Sequence, residues 1–295
     1  MDFKNAEELL EICREYNLKI SEVMKHRESE HSGADWGTVT ARMLKALTIM
    51  KRSAENGIEN PKRSMGGLIG GEAKQIYDHL AKGKTACGSL IAKGTAYAMS
   101  VLEVNAGMGL IVAAPTAGSS GVVPGVLLSL RDEYGFSDAK LADALFNAAA
   151  VGYLAMRNST VSGAVGGCQA EMGVAAAMAA SAAVELLDGT PEQCLNAAAT
   201  VLMNMLGLVC DPVGGLVEYP CQKRNASGVA NALVAAEMAL SDVRQLIPLD
   251  EMLEIMYRVG KVLPAELRET AQGGCAVSKS ACRACSKCTN EIQDE

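Results

Sequence analysis

Aromatic residues are scarce in this chain: seven Tyr, three Phe and one Trp, 4% of 295 residues. A core without large rings has to be filled by aliphatic and small side chains. Ala, Leu, Val and Met supply that mass in a chain that is 49% hydrophobic, which favours helices packed closely through small residues. Alternation of apolar and polar residues is missing, as is any internal repeat, which argues against a half-buried sheet and against a solenoid. Positive charge is in deficit. A net charge of −7 makes nucleic acid and an anionic membrane surface poor partners. An apolar secretory leader is lacking, because the chain opens on the charged run Met1-Asp2-Phe3-Lys4-Asn5-Ala6-Glu7-Glu8. The expected location is the reducing cytoplasm, where ten cysteines mean metal or redox work rather than disulfides.

An uninterrupted membrane span is lacking too. Residues 94–130 carry a single charge, Glu103, but Pro115, Pro124, several glycines and the hydroxyls of Thr116, Ser119 and Ser120 break the run. A buried helix pair joined by a polar hinge at 114–121 fits better than a lipid-facing helix. Histidine is rare as well: His26, His31 and His79 are the whole supply, and the first two sit among charges as expected surface residues.

What is present is a set of cysteines beside turn formers. Cys168 follows Gly166-Gly167. Cys210 precedes Asp211-Pro212-Val213-Gly214-Gly215, and Cys221 follows Pro220. The three are 42 and then 11 residues apart. Thiolates are soft ligands, and three converging on one point suit an iron–sulfur cluster or zinc with one coordination position left open. Residues 169–187 read as a helix with Cys168 near its N-cap and Glu171 at the third position, where a helix N-terminus favours a thiolate. Each cysteine taken singly also reads as a small buried hydrophobe.

The rest reads as helices. Residues 6–16, 21–30 and 38–56 form a charged N-terminal group, with Gly57 as a helix C-cap. Residues 64–71 form a Gly-rich loop ahead of a helix from Glu72, a candidate carboxylate or phosphate site through Ser64, Gly66, Gly67, Gly70 and Gly71, or else an ordinary tight turn. No Gly-Lys-Ser/Thr follows, so it is not a P-loop. Ser137 starts a helix to about Met156. Thr190-Pro191-Glu192-Gln193 is a strong helix start. Further helices are expected from Ser227, from Pro248-Leu249-Asp250 and from Leu263-Pro264-Ala265-Glu266. The tail carries Cys275, Cys282, Cys285 and Cys288, a ferredoxin-like or zinc-like run. The resulting expectation is an all-α chain: one compact helical domain with Gly-rich active-site loops and a Cys-rich tail. Residues 1–63 are charged helices packed on that domain, 64–274 its catalytic part and 275–295 the tail.

Five stretches together resemble the α subunit of bacterial iron–sulfur L-serine dehydratases. They are Ser64-Met65-Gly66-Gly67-Leu68-Ile69-Gly70-Gly71, Ala114-Pro115-Thr116-Ala117-Gly118-Ser119-Ser120-Gly121, Gly167-Cys168-Gln169-Ala170-Glu171, the loop from Cys210 to Cys221, and Arg224-Asn225. The resemblance implies that Cys168, Cys210 and Cys221 hold a [4Fe–4S] cluster whose free iron handles the substrate. It also implies conversion of L-serine to pyruvate and ammonia, with the substrate carboxylate docked on residues 64–71 and 116–120 (Ala117 and Gly118 among them). L-cysteine desulfidation and a non-catalytic iron–sulfur redox or sensor protein are the alternatives. In some relatives a C-terminal cysteine reaches back to the site. Here Glu295 is last and three cysteines cluster, so three readings of the tail stand: a thiolate on the open iron, a second metal site, or a disordered reactive tail. No histidine lies in a site motif. The general base is therefore expected on a partner chain, the β subunit, docking near residues 64–71, with Lys74 as the fallback within this chain.

Overall fold

The computed structural model describes residues 1–285. Among these residues the regular structure is helical throughout, and the only extended pairing is an isolated bridge between Cys210 and Arg268. The N-terminal helices form where the sequence marks them. Asn5 caps α1 (Ala6–Tyr16) by accepting the N–H of Glu8 at 2.8 Å. α2 (Ile20–Ser32) ends on Gly33, and Asp35 caps α3 (Trp36–Glu59) through the N–H of Thr38. Gly57 is not a cap. It lies inside α3, where a Cβ would stand 2.5 Å from Ser100 Oγ and 2.8 Å from Ser100 O, so the glycine serves close helix packing.

After the Gly-rich loop come α4 (Glu72–Leu80) and α5 (Gly88–Ala106), then the hinge, then α6 (Val122–Tyr134). The expected helix pair is there, but its first member ends at Ala106, and residues 109–113 run on without helical structure. α5 and α6 cross with Gly94 and Gly125 face to face: a Cβ on Gly125 would come within 2.8 Å of Gly94 O. No helix among the described residues is long and apolar enough to cross a membrane.

α7 (Asp138–Asn158), the single turn α8 (Gly163–Gly166), α9 (Val174–Leu186) and α10 (Pro191–Asn204) follow, with Ser137 and Thr190 as the N-caps read from sequence. α9 is apolar on every side, and every one of its residues is buried, with α6, α7, α10 and α11 packed around it. Its alanines let those neighbours approach. α11 (Cys221–Leu240) begins six residues earlier than Ser227, so Cys221 is its first residue rather than part of the preceding loop. α12 (Leu249–Val262) starts as expected, whereas the segment after Leu263 makes only a 3-10 turn, Ala265–Leu267. From α12, Asp250 also reaches the start of α1 and accepts the N–H of Ala6 at 2.8 Å. α13 (Lys279–Ala284) folds the tail against the Val213–Gly215 turn.

Candidate active site

The site lies where the helices stop and their loops meet. Gly167 sets the entry to Cys168. Its φ is 76°, and a Cβ there would stand 2.9 Å from Leu208 O, so both the conformation and the space require glycine. The expected helix after Cys168 is present, but its first five residues, Gln169–Gly173, are wound as a π-turn before α9. Gln169 staples that turn in place: its Nε2 donates to Gly166 O (2.9 Å) and Met256 O (3.0 Å), and its Oε1 accepts the N–H of Gly207 (2.8 Å). Cys210 is fixed through its backbone, with its N–H on Leu267 O and its C=O receiving the N–H of Glu269. Cys221 opens α11, so the positive end of that helix dipole faces the site.

Each of the three cysteines is buried. The thiol of Cys210 is pushed far above its ordinary range, first by a hydrogen bond with Cys168 and then by burial. Burial pushes Cys221 up to about 12, with the charges of Cys168 and Glu171 adding to it. Arg224 is the cation of the group. It is near enough to Cys168 for that thiol to raise its pKa, donates to Val209 O at 2.9 Å and stands 2.8 Å from buried Asp211 Oδ1 as an ion pair without N–H alignment. Crowded thiols of this kind resist ionisation by themselves, and a bound cation would relieve them. Ligand atoms of Glu171, Cys210 and Glu269 also lie within 4.8 Å of one another. Soft sulfur donors with nearby carboxylates fit a metal centre.

Glu171 is the residue whose place the sequence does not disclose. It reads as the third residue of a helix, yet its Oε1 accepts the Thr116 hydroxyl at 2.9 Å and its Oε2 faces Cys210 Sγ at 3.6 Å. Burial pushes its carboxyl up, partly offset by the Thr116 hydrogen bond. It therefore joins the hinge loop to the cysteines. In that loop, Thr116 caps the 3-10 turn Ala117–Ser119, and Asn225 holds the turn by accepting the Gly121 N–H and donating to Gly118 O. Ser119 and Ser120 are fully buried and spend their hydroxyls inside the loop, Ser120 on Ala117 O at 2.7 Å. The N–H groups of Ala117 and Gly118 stand at the start of the turn, where no intrahelical acceptor exists.

The Gly-rich loop does gather carboxylates, but they are the protein's own. Glu218 accepts from Ser64 Oγ (2.6 Å), Gly66 N (2.6 Å) and Leu68 N (3.0 Å). Gly70 N donates to Glu72, and Gly71 N to Glu103. The N–H groups of Ser64, Met65, Gly67 and Ile69 go to Ile69 O, Ala106 O, Ser64 O and Ser64 Oγ. Every N–H from Ser64 to Gly71 thus has an acceptor within the chain.

Lys74 is exposed and paired with Asp78 on α4 at 3.0 Å. His31 and His79 are exposed, and His26 packs edge-on against Trp36. In the tail, the Cys275 N–H donates to Asp211 at 2.6 Å, and Cys285 is buried with its Sγ 2.7 Å from where a Cβ of Gly214 would be. A disordered tail therefore does not describe the residues up to Cys285. Cys282 is half-buried, and Cys288 lies outside the described residues.

Among the described residues, fold and site define an all-helical protein whose buried cysteines lie among polar loops, with Glu171, Cys210 and Glu269 as a possible metal-ligand group. The family model described as "Serine dehydratase alpha chain" matches residues 15–276, and the chain belongs to that family. It is 45% identical over 276 residues to the "Probable L-serine dehydratase, alpha chain" of Bacillus subtilis, covering 94% of this chain and 92% of that one. Identity to the "L-serine dehydratase, alpha chain" of Peptoniphilus asaccharolyticus is 42% over 275 residues, covering 93% and 94%. Against "L-serine dehydratase TdcG" of Escherichia coli it is 36% over 288 residues, covering 94% of this chain but 62% of the relative.

Proposed function

We propose that this chain is the α chain of an iron–sulfur L-serine dehydratase, a lyase that takes water from L-serine. The enamine so formed tautomerises and hydrolyses to pyruvate and ammonia. The observation that supports the reading is the burial of Cys168, Cys210 and Cys221, with Cys168 near enough to act on both of the other thiols and Glu171 joining Cys210 to the Thr116 loop. These three cysteines would hold a [4Fe–4S] cluster. When bound, that group supplies a Lewis acid for the substrate hydroxyl, whose departure is otherwise slow.

The chain's own residues do the rest. Ala117 and Gly118 offer two N–H donors to the substrate carboxylate, while Thr116, its hydroxyl given to Glu171, sets the start of the turn and Ser119 and Ser120 brace it from behind. The donors of residues 64–71 are taken up by Glu218, Glu72 and Glu103, so this loop shapes the site rather than binding substrate in this conformation. Arg224 offsets the charge of the thiolates. For removal of the α-proton, histidine on a second polypeptide remains the first reading. Its support is the greater length of the Escherichia coli relative, and the working protein is then a cytoplasmic heteromer. A second reading puts the proton on Glu171, favoured by its place between Thr116 and Cys210.

The test is anaerobic loading with ferrous iron and sulfide, followed by pyruvate detection with L-serine, with and without a β chain. Little turnover by the α chain alone and full turnover on addition of the β chain is expected. Full turnover alone would move the base to Glu171. Sulfide release from L-cysteine at a higher kcat/KM would favour desulfidation, and a loaded cluster with no turnover of either amino acid would favour a redox or sensor protein.

A further inference from the structure

The loop at residues 64–71 and the first turn of α11 are far apart in sequence, yet they are tied together on both sides of Cys221. Three residues before it, the Glu218 carboxyl group is 2% exposed and takes three hydrogen bonds from the loop, at 2.6, 2.6 and 3.0 Å. The carbonyl of Glu218 also accepts the N–H of Gln222 at 3.0 Å, closing the first turn of the helix around Cys221. One residue after Cys221, the side chain of Gln222 is fully buried. Its Nε2 donates to Glu103 Oε1 at 2.8 Å, and Glu103 in turn accepts the N–H groups of Gly71 and Ala73 at 2.9 Å. The fit is close. A Cβ on Gly66 would lie 2.4 Å from Leu216 Cδ1 and within 2.9 Å of both Glu218 oxygens.

We propose that Glu218 is a positioning residue for Cys221, an internal carboxyl strut through which the Gly-rich loop sets the direction of that thiol. The sequence marks the loop as a cradle for a carboxylate or a phosphate, or as an ordinary tight turn. The cradle is real, and its occupant is Glu218. The strut matters to the chemistry because Cys221 sits on a helix end, where the first turn frays unless something outside the helix holds it. The proposal rests on the reading of Cys221 as a metal ligand for its consequence on iron, but its effect on the thiol does not depend on that reading.

The test uses the metal-free full-length chain and mass-spectrometric measurement of iodoacetamide labelling at single cysteines. In Glu218→Gln, Cys221 should label about tenfold faster or more than in the wild type, since a buried acceptor of three hydrogen bonds is replaced in part by an amide donor. Cys194, fully buried in α10, should keep its wild-type rate. Gly66→Ala, which crowds the same contact, should do the same to Cys221 and carries the readout if Glu218→Gln does not fold. Glu185→Gln alters a buried carboxyl group outside the site and should leave Cys221 unchanged. A second arm loads iron anaerobically and follows its loss to a ferrous chelator, which should be faster in Glu218→Gln at temperatures well below unfolding. Unchanged Cys221 labelling in both site variants, or labelling that rises in step with Cys194, would overturn the proposal. Failure of the wild type to take up iron would count against the metal reading, and the labelling arm would still decide this one.

Discussion

Two regions of this molecule bury polar groups in opposite ways. Around α9 the core is made of alanine and aliphatic side chains, and its few polar groups close on one another. Glu185 accepts the Asn147 amide at 2.7 Å and the Ser21 N–H at 3.2 Å, while Ser181 donates to Asn147 at 2.6 Å. On the cysteine face, the buried carboxyl groups of Glu218, Glu103 and Asp211 instead reach across to backbone N–H groups of distant loops. In the core, polar groups settle which helices pair. On the cysteine face they shape irregular backbone that no helix ladder supports.

The sharpest way to separate the regions is to remove a thiol from each. Cys168→Ala, Cys210→Ala and Cys221→Ala should each abolish cluster binding and activity, because two remaining thiolates do not hold a cubane. Cys194→Ala should keep both, at the expense of about 1 kcal/mol of stability for the small cavity left. Iron content and visible absorbance after anaerobic loading check this. Air should bleach the wild-type absorbance, with recovery on adding ferrous iron and thiol.

Next in size is an overpacked core. Gly125→Ala places a methyl 2.8 Å from Gly94 O, where only backbone movement makes room. A loss of about 1–3 kcal/mol is expected, read as a lower denaturation midpoint with an unchanged m-value. Iron uptake by the folded fraction should stay intact, and loss of uptake without loss of stability would blur the boundary between the regions.

A smaller effect is expected from pH. Burial raises the Glu185 carboxyl above its ordinary 4.5. The folded state therefore holds this proton more tightly than the unfolded chain does. The contribution to stability is full below 4.5 and is lost as pH rises through the raised folded value. Glu185→Gln has no such proton to lose, so its Tm relative to wild type should climb as pH rises above 4.5. A flat difference across that range would show that the carboxyl is not held up.

The smallest effect belongs to the seam between α1 and α12. Asp250→Ala removes the acceptor for the Ala6 and Glu7 N–H groups. About 1 kcal/mol is expected, as for a lost N-cap, with no change in cluster absorbance.

Much of this was readable from local signals. Ser137 sits before a helix that forms, and Thr190-Pro191-Glu192-Gln193 yields a capping box at the start of α10, because a cap is decided by a few adjacent residues. The cysteines beside Gly and Pro also stood out, since those residues set backbone direction without help from afar. Ser227 misled for the same reason. Serine is a good cap, but α11 starts at Cys221, where Glu218, Gln222 and Asn225 all find distant partners that carry the first turns. Gly57 misled likewise, as the close approach of Ser100 is invisible along the chain.

By itself, then, the sequence determined the helical class and most helix starts. These follow from residue type and short-range periodicity. Tertiary structure alone decided which carboxyl fills the Gly-rich loop, that Glu171 stands between Thr116 and Cys210, and that the tail through Cys285 lies on the Val213–Gly215 turn. Each of these is a contact between residues many positions apart. The donors are written in the sequence, but their acceptors are chosen only when the helices pack.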